Sequence, residues 1–431
     1  MAAPIIFKGL TYLGGLVVAR KVYNYFMGEG NVSDKEIAKG SNGTVIFEGS
    51  YPQPARKAAV KRVVRISSYV GCEEYNMYME ADGINNIVRC YGMKSDWRYV
   101  YLFLEPCICS LKDLVQIYSP HALPIFQSES EKTRLISVKN VLGNHVTLWT
   151  EDDYPSSLLL KLMRDVVCGL MNLHENKVVH MNLDPGNILI AGKTPNLCAK
   201  LSDMAKSKKF RANNSSSSHY ATYSEQLQFD GEAAKDLFQL GYILSFCIHG
   251  GGYPFSDPPE HYYAKDSPQE AADLISQLIS RSANMRPRAM DVYRHPLFWN
   301  SDKKLSFLRD TSDMVKGNKQ GQLSEELKKL QGLVIGSGWD TMIDSKLISA
   351  IKEQYDYNNF LDLLRLMRNY FHHYFELSKD IQELLGSKPE GYYKYFGTRF
   401  PKLLIEVYKV VHKFCKDKDG FQKYFHSNLA E

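Results

Sequence analysis

The sequence predicts a mixed α+β fold in two domains: a bilobal first domain, β-rich and then helical, followed by an all-α second domain. Three observations carry this. The 431 residues exceed what one hydrophobic core ordinarily covers. The apolar pattern changes from strand-like to helical near Leu111 and stays helical toward the C-terminus. No Gly/Pro/Ser linker separates "RPRAMDVYRHPLFW" (286–299) from "SDKKLSFLRDTSDMV", so the second domain is expected to dock rigidly on the first.

The chain begins with "PIIFKGLTYLGGLVVARK", apolar over 4–19, broken by Lys8 and ended by Arg20 and Lys21. That is shorter than the roughly 20 residues of a spanning helix. Residues 1–30 are read as a short anchor that leaves the rest of the chain cytosolic or as an ordinary buried or interfacial segment; a signal peptide stays open as well, although here the basic residues follow the apolar stretch instead of preceding it.

From Asp34 to Leu104 short strands surround one helix, "GCEEYNMYMEADG". Residues 118–156 are read as a surface insertion without sustained period. "SSLLLKLMRDVVCGLMNLHE" is helical by its three- and four-residue spacing. "RANNSSSSHYATYSEQ" (211–226) reads as irregular. Domain boundaries are therefore set at 31–299 and 300–431, with helices over 305–314, 360–377 and 400–414.

Hydrophobic residues make up 44% and charged residues 23%, which excludes a disordered or fibrous chain. A net charge of +5 permits an anionic partner without establishing one. Eight scattered cysteines, with only Cys107 and Cys109 close together, form neither zinc spacing nor a disulfide framework, and so suit a reducing cytoplasm.

Between the first two strands, Ala38, Gly40, Gly43 and Val45 form a loop of the shape that covers a phosphate, although ordinary tight turns use the same glycines. Lys61 in "AAVK" follows on the next strand. Glu74, with Glu73 as the one-residue alternative, lies on the helix after it. Asn187 follows Asn182 by five residues, and Asp203 stands in "LSDMA". Glu225, Asp236 and Arg286 fall at positions that brace a helical lobe.

These residues, in this order, resemble the protein-kinase superfamily over Asp34 to Trp299. The resemblance implies a cleft in which Gly40, Gly43, Val45, Lys61, Glu74, Glu105, Cys107, Asn187 and Asp203 hold ATP or ADP, with Mg on Asn187 and Asp203. The loop "VVHMNLDPGNILI" departs from that family. Asn182 replaces the catalytic carboxylate, and an amide has no basic lone pair near neutral pH. Asp184 replaces the loop lysine and sets negative charge near the phosphates. Nucleotide binding is expected; efficient phosphotransfer is not.

In "YDYNNFLDLLRLMRNYFHHYFEL" (355–377), Phe360, Leu364, Met367 and Phe371 share one helical face. Arg365, Arg368, Asn369, His372 and His373 fall on the other. A solvated polar face is the ordinary explanation, but adjacent histidines beside Arg-Asn also place a proton donor near a phosphate-binding guanidinium.

The order Tyr355, Arg368-Asn369, His373, downstream of "HPLFW" and followed by "GSKPEGYYKYFGTRFPKLLIEVYK", resembles the kinase-extension nuclease domain. That domain is shared by the inositol-requiring kinase/endoribonucleases, which sense unfolded protein in the endoplasmic reticulum, and by ribonuclease L. The 158–180 stretch looks most like plant members of the former. The resemblance implies metal-independent cleavage: the RNA 2′-hydroxyl attacks its own phosphate and leaves a 2′,3′-cyclic phosphate and a 5′-hydroxyl. Tyr355 would assist at the 2′-hydroxyl, His373 would protonate the leaving oxygen, and Arg368 and Asn369 would stabilise the phosphorane-like charge. Tyrosine, with a free pKa near 10, needs a cation such as Arg368 to lower it, or else orients the hydroxyl. His372 and Arg365 either contact RNA or brace the helix. Lys388, Lys394, Arg399 and Lys402 are either phosphate contacts or ordinary surface charges.

The same resemblance implies a stem-loop RNA substrate, a homodimer or oligomer, and a cytoplasmic enzyme tethered to the endoplasmic reticulum if the N-terminus anchors. The chain shows neither a lumenal sensor nor ankyrin repeats, which leaves the activating signal open. Two other readings compete: a Ser/Thr kinase using the 215–218 serine run as autophosphorylation sites, and a scaffold that dimerises with an active relative.

Overall fold

A computed structural model describes residues 30–426, apart from 41–42, 53–54, 66–69, 120–127, 211–218, 252–267, 318–319 and 352. Side chains at 55, 70 and 219–225 also lie outside the description. The apolar segment 4–19, the 215–218 serine run and the Glu225 side chain are therefore not described.

Strands β1 (Asn31–Lys39), β2 (Val45–Pro52), β3 (Ala55–Val64), β4 (Cys90–Ser95) and β5 (Tyr99–Leu104) form an antiparallel sheet in the order β1-β2-β3-β5-β4. Alternation along β3 explains its two faces: Ala58 and Val60 point into a cluster with Phe103, while Lys61 points the other way. Gly49 is needed on β2 because a Cβ there would lie 2.4 Å from the Asn31 carbonyl oxygen. Helix α1 (Val70–Glu80) packs on the 3-10 turn Met204–Lys206.

The helical lobe begins at α2 (Leu111–Tyr118), whose N-terminus is closed by a capping box between Ser110 and Asp113. The insertion is not irregular throughout, because α3 (Glu129–Leu142) runs through it. Ser128 caps α3, and Leu135, Val138 and Leu142 bury one face at helical spacing; that stripe is the period the sequence reading missed. Helix α4 (Ser157–Glu175) buries Leu159, Leu162, Met163, Val166, Val167 and Leu170. It packs on β8 (Asn196–Leu201), which pairs with β7 (Ile188–Lys193), while β7 pairs with β6 (Cys109–Ser110). The expected irregular stretch is also shorter than predicted: α5 (His219–Ile248) starts seven residues before Gln226. The chain after the serine run is rich in Glu, Gln, Leu and Ala, which favour helix.

The chain divides into two compact units by its contacts. Residues 30–251 and Ile279–Ala289 form the first; 268–278 and 290–426 form the second. Helix α6 (Gln269–Leu278) belongs with the C-terminal helices because its acidic side chains bind there. Asp273 pairs with Lys409 at 2.7 Å and faces His295 at 3.5 Å, and Glu270 accepts from Tyr393 at 3.2 Å. Burial would raise the Asp273 carboxyl, but His295 and Lys409 hold it below the ordinary range.

The rest of the second unit is all helical, led by α7 (Ser301–Gly317), α8 (Phe360–His372), α9 (Glu390–Arg399) and α10 (Leu403–Cys415). One core unites them, with Trp299, Phe307, Trp339, Phe360, Tyr392 and Phe396 among its largest members. Among the described residues no helix is long and apolar enough to cross a membrane.

Candidate functional site

The first unit presents a connected set of polar side chains between its lobes. Lys61 Nζ lies 2.7 Å and 2.9 Å from the two carboxylate oxygens of Glu74 and 2.5 Å from Asp203 Oδ1. Glu74 is buried while Glu73 is exposed, so the geometry chooses between those two candidates. Burial alone would pull Lys61 down, yet Glu74 and Asp203 hold it above an ordinary lysine. Asp203 is in the left-handed region at φ 61°, where its N–H donates to Tyr78 Oη.

The loop 180–187 hangs from Asp236. That fully buried carboxylate accepts the N–H groups of His180 and Met181, each at 2.7 Å, and also contacts His174 at 3.0 Å. Arg286 braces the lobe through carbonyls, donating to Ser280 and Ala234. Glu105 and Cys107 lie on the connection between β5 and β6, held by the Glu105 N–H on the Arg89 carbonyl and the Ile108 N–H on the Ile190 carbonyl. Burial pushes the Cys107 thiol up to about 12, so this sulfur is not a thiolate at neutral pH. Gly40 donates to the Thr44 carbonyl, Gly43 takes φ 74°, and Val45 opens β2.

Asn182 does not project into the cleft as a base. Its Nδ2 donates to Asp203 Oδ2 at 2.5 Å, and its Oδ1 accepts from Lys206 at 3.1 Å. Two carboxylates at this separation would repel; the amide turns the contact into a hydrogen bond. Asp184 caps its own turn by accepting from the Gly186 N–H at 2.7 Å. Lys206 brings a cation to this loop that the sequence reading missed, because 24 positions separate it from Asn182 and only folding joins them.

The residues present fit a magnesium nucleotide. Asn187 gives its Nδ2 to the Asn182 carbonyl at 2.9 Å, which leaves its amide oxygen facing away, and Asp203 supplies the carboxylate that a hard cation prefers.

The second unit holds a different constellation on α8. Asn359 caps the helix, and Leu363, Leu364, Leu366, Met367 and Tyr370 fix its buried face. Arg368 is on the polar side of the sequence pattern but is only 8% exposed. Its Nη1 meets Asp313 Oδ1 at 2.6 Å, and its Nη2 and Nε reach Asn369 Oδ1 at 2.7 Å and 3.2 Å. With its oxygen taken, the Asn369 amide can only donate, and it does so to Tyr355 Oη at 2.9 Å. The His373 N–H closes the last turn on the Asn369 carbonyl at 2.9 Å, and its exposed ring contacts Glu376 through Nδ1 at 3.0 Å.

Of the two readings of Tyr355, the surroundings favour the one in which it orients the hydroxyl. No cation lowers its pKa below the ordinary value: burial raises it, the Asn369 hydrogen bond opposes only in part, and the guanidinium over its ring at 4.6 Å is Arg365, not Arg368. Arg365 also donates weakly to the Gln354 carbonyl at 3.4 Å. His372 is exposed; Arg399 is taken by Asp344 at 2.5 Å; Lys394 and Lys402 are exposed.

Residues 32–298 match the protein kinase domain family, and residues 304–425 match the family described as Ribonuclease 2-5A. The chain is 43% identical over 93% of its length to "Serine/threonine-protein kinase/endoribonuclease IRE1b" of Arabidopsis thaliana, covering 48% of that protein. The corresponding figures for the IRE1 protein of Oryza sativa subsp. japonica are 41%, 93% and 45%. A third relative, "Inactive serine/threonine-protein kinase/endoribonuclease IRE1-like" of Arabidopsis thaliana, is 32% identical over 91% of this chain and 78% of its own length. The chain belongs to the IRE1 kinase/endoribonuclease family. It spans about half the length of the first two IRE1 relatives.

Asp313 is a residue that sequence reasoning did not single out, since it lies 55 positions before Arg368 on another helix. Only its ion pair with Arg368 reveals it. Under the RNA-cleaving reading proposed below, Asp313→Ala is expected to lower kcat by about tenfold or more, by letting the guanidinium swing, with KM less affected. An Asp313→Ala protein with wild-type kcat would show that Arg368 needs no anchor.

Proposed function

We propose that this chain is an endoribonuclease that cleaves RNA without a metal ion, and that its kinase domain binds adenine nucleotide as a control ligand. The observation that carries the reading is the hydrogen-bonded run Asp313, Arg368, Asn369, Tyr355 with His373 one helical turn beyond Asn369.

In this reading the RNA 2′-oxygen attacks the adjacent phosphorus while the bond from phosphorus to the 5′-oxygen breaks. Tyr355, whose phenol stays protonated near neutral pH, orients the 2′-hydroxyl, and the hydroxyl proton passes to solvent water. Arg368 and the Asn369 amide meet the charge that grows on the phosphoryl oxygens. His373 gives its proton to the departing 5′-oxygen. The products are a 2′,3′-cyclic phosphate and a 5′-hydroxyl, with no water consumed.

Lys61, Asn187 and Asp203 would hold ATP or ADP with Mg, which supplies charge neutralisation to the phosphates. Phosphoryl transfer is disfavoured by Asn182, whose amide donates to Asp203 where a kinase base would accept. Nucleotide in the cleft favours the conformation that dimerises and aligns two nuclease domains, a shift by differential binding. A relative in Schizosaccharomyces pombe named "Sensor for unfolded proteins in the ER ire1" supports a place in the unfolded protein response, on the cytoplasmic side of the endoplasmic reticulum membrane.

Stem-loop RNA incubated with purified protein tests this. Cleavage is expected to rise more than linearly with protein concentration and to increase with ADP. An intact, dimeric protein that leaves such RNA uncut at every concentration would overturn the reading.

A further inference from the structure

Two residues past His373, the chain presents a large aromatic surface that the reaction as described does not use. The 3-10 turn Tyr374–Glu376 sends Tyr374 inward, where its hydroxyl donates to the Gln382 and Gly386 carbonyls, and Phe375 outward, 79% exposed. Leaving a phenylalanine in water forgoes the favourable burial that its neighbour Tyr374 achieves. The exposed ring is not an isolated patch. Lys388 Nζ lies 4.8 Å from the Phe375 centroid, 5.2 Å from Tyr374 and 4.3 Å from Phe371, and donates to the Phe371 carbonyl at 3.0 Å.

The charge acting on Lys388 is of one sign, while Glu376, the neighbour of Phe375, is turned to His373. The charged group acting on Lys388 is another cation, Arg309, and together with burial it lowers the lysine below its ordinary value. Arg309 stacks on Phe371 at 4.0 Å, and its Nε is buried without a hydrogen-bond partner. Neither cation is joined to a carboxylate within ion-pairing distance among the described residues. Exposed rings beside unneutralised cations are what single-stranded nucleic acid binds: the base stacks on the ring and the backbone phosphate meets the charge.

We infer that Phe375 and Lys388 form a nucleobase subsite for the RNA substrate, holding the nucleotide on the 5′-hydroxyl leaving side of the scissile bond. The side follows from order along the chain: Tyr355 and Asn369 serve the attacking side, His373 serves the leaving oxygen, and Phe375 lies beyond His373. This rests on the endoribonuclease reading above. Because a π-face is common to all bases, the subsite adds affinity with little sequence preference.

The experiment pairs Phe375→Ala with RNA lacking the base on either side of the cleavage point. For wild type, removing the leaving-side base is expected to raise KM about tenfold, with kcat at saturation unchanged; Phe375→Ala is expected to raise KM equally and to respond no further to the abasic RNA. Phe375→Trp restores wild-type KM. Anisotropy with uncleavable 2′-deoxy RNA measures the same loss without chemistry, so a failure of the nuclease reading is seen separately, as bound but uncut ribo-substrate. Equal losses from either abasic position, additive effects of variant and abasic site, or a Phe375→Ala protein that binds RNA normally and loses only self-association in sedimentation would each overturn the subsite. The last result would mean that the ring packs against a second copy of this chain.

Discussion

Replacing His373 with alanine is expected to reduce kcat for RNA cleavage by roughly 10²- to 10⁴-fold, the usual contribution of a positioned general acid, while leaving the melting temperature and RNA affinity close to wild type. The reason for separating chemistry from stability is visible in its surroundings. The His373 side chain is 63% exposed, its ring contacts only the exposed Glu376, and its helix-closing bond is made by the backbone, which alanine retains. A leaving group that departs as an alkoxide needs a proton, and among the described residues His372 is the other exposed histidine at this end of α8. His372→Ala is therefore the matched control, and it is expected to lose less than tenfold. Steady-state cleavage of both variants beside their thermal unfolding checks this. Equal losses from the two histidines would move the acid away from His373.

Lys61→Ala is expected to cause the largest loss of stability among single substitutions in the cleft, about 3 to 5 kcal/mol, and to abolish nucleotide binding at concentrations that saturate wild type. Truncating one partner of a buried pair leaves the other uncompensated. Glu74 is 1% exposed, and without Lys61 nothing opposes the burial that already raises its carboxyl. Asp203 would also lose its contact on Oδ1 and keep only the amide of Asn182. The double variant Lys61→Ala, Glu74→Gln should recover much of the stability but none of the binding. Denaturant unfolding together with nucleotide titration reads both quantities. A Lys61→Ala protein as stable as wild type would mean that Glu74 is protonated or solvated in the folded state.

How much of this could be read from sequence depended on how local each relation is. Lys61 and Asp236 were legible because their neighbours fix strand and helix registers, and because their order along the chain matches a known pattern. Arg368 and Asn369 were legible as residue types on one helix, but their environment was not. Periodicity placed Arg368 on the solvated face, whereas Asp313, 55 residues earlier on α7, and the neighbouring Asn369 hold its guanidinium. The same holds for Lys206, joined to Asn182 across 24 residues. Helix α3 escaped because its buried stripe is sparse, three residues among charged ones. The place of α6 was not legible, because it follows from contacts: Asp273 and Glu270 on α6 bind Lys409 and Tyr393 far down the chain.

The absence of a base at position 182 also acquires a physical meaning. An aspartate there would face Asp203 and need a cation between them, while asparagine ties the two together with a hydrogen bond and keeps Lys61, Glu74 and Asp203 assembled. In the proposed reading the cleft holds a control ligand and α8 carries the chemistry.

The central claim is tested most directly by the ends of the RNA fragments that the purified protein releases in the presence of a metal chelator. A 2′,3′-cyclic phosphate on one fragment and a 5′-hydroxyl on the other, lost in His373→Ala and kept in Asn182→Ala, is the predicted result. A 3′-hydroxyl with a 5′-phosphate, or cleavage that stops when divalent ions are chelated, would contradict it.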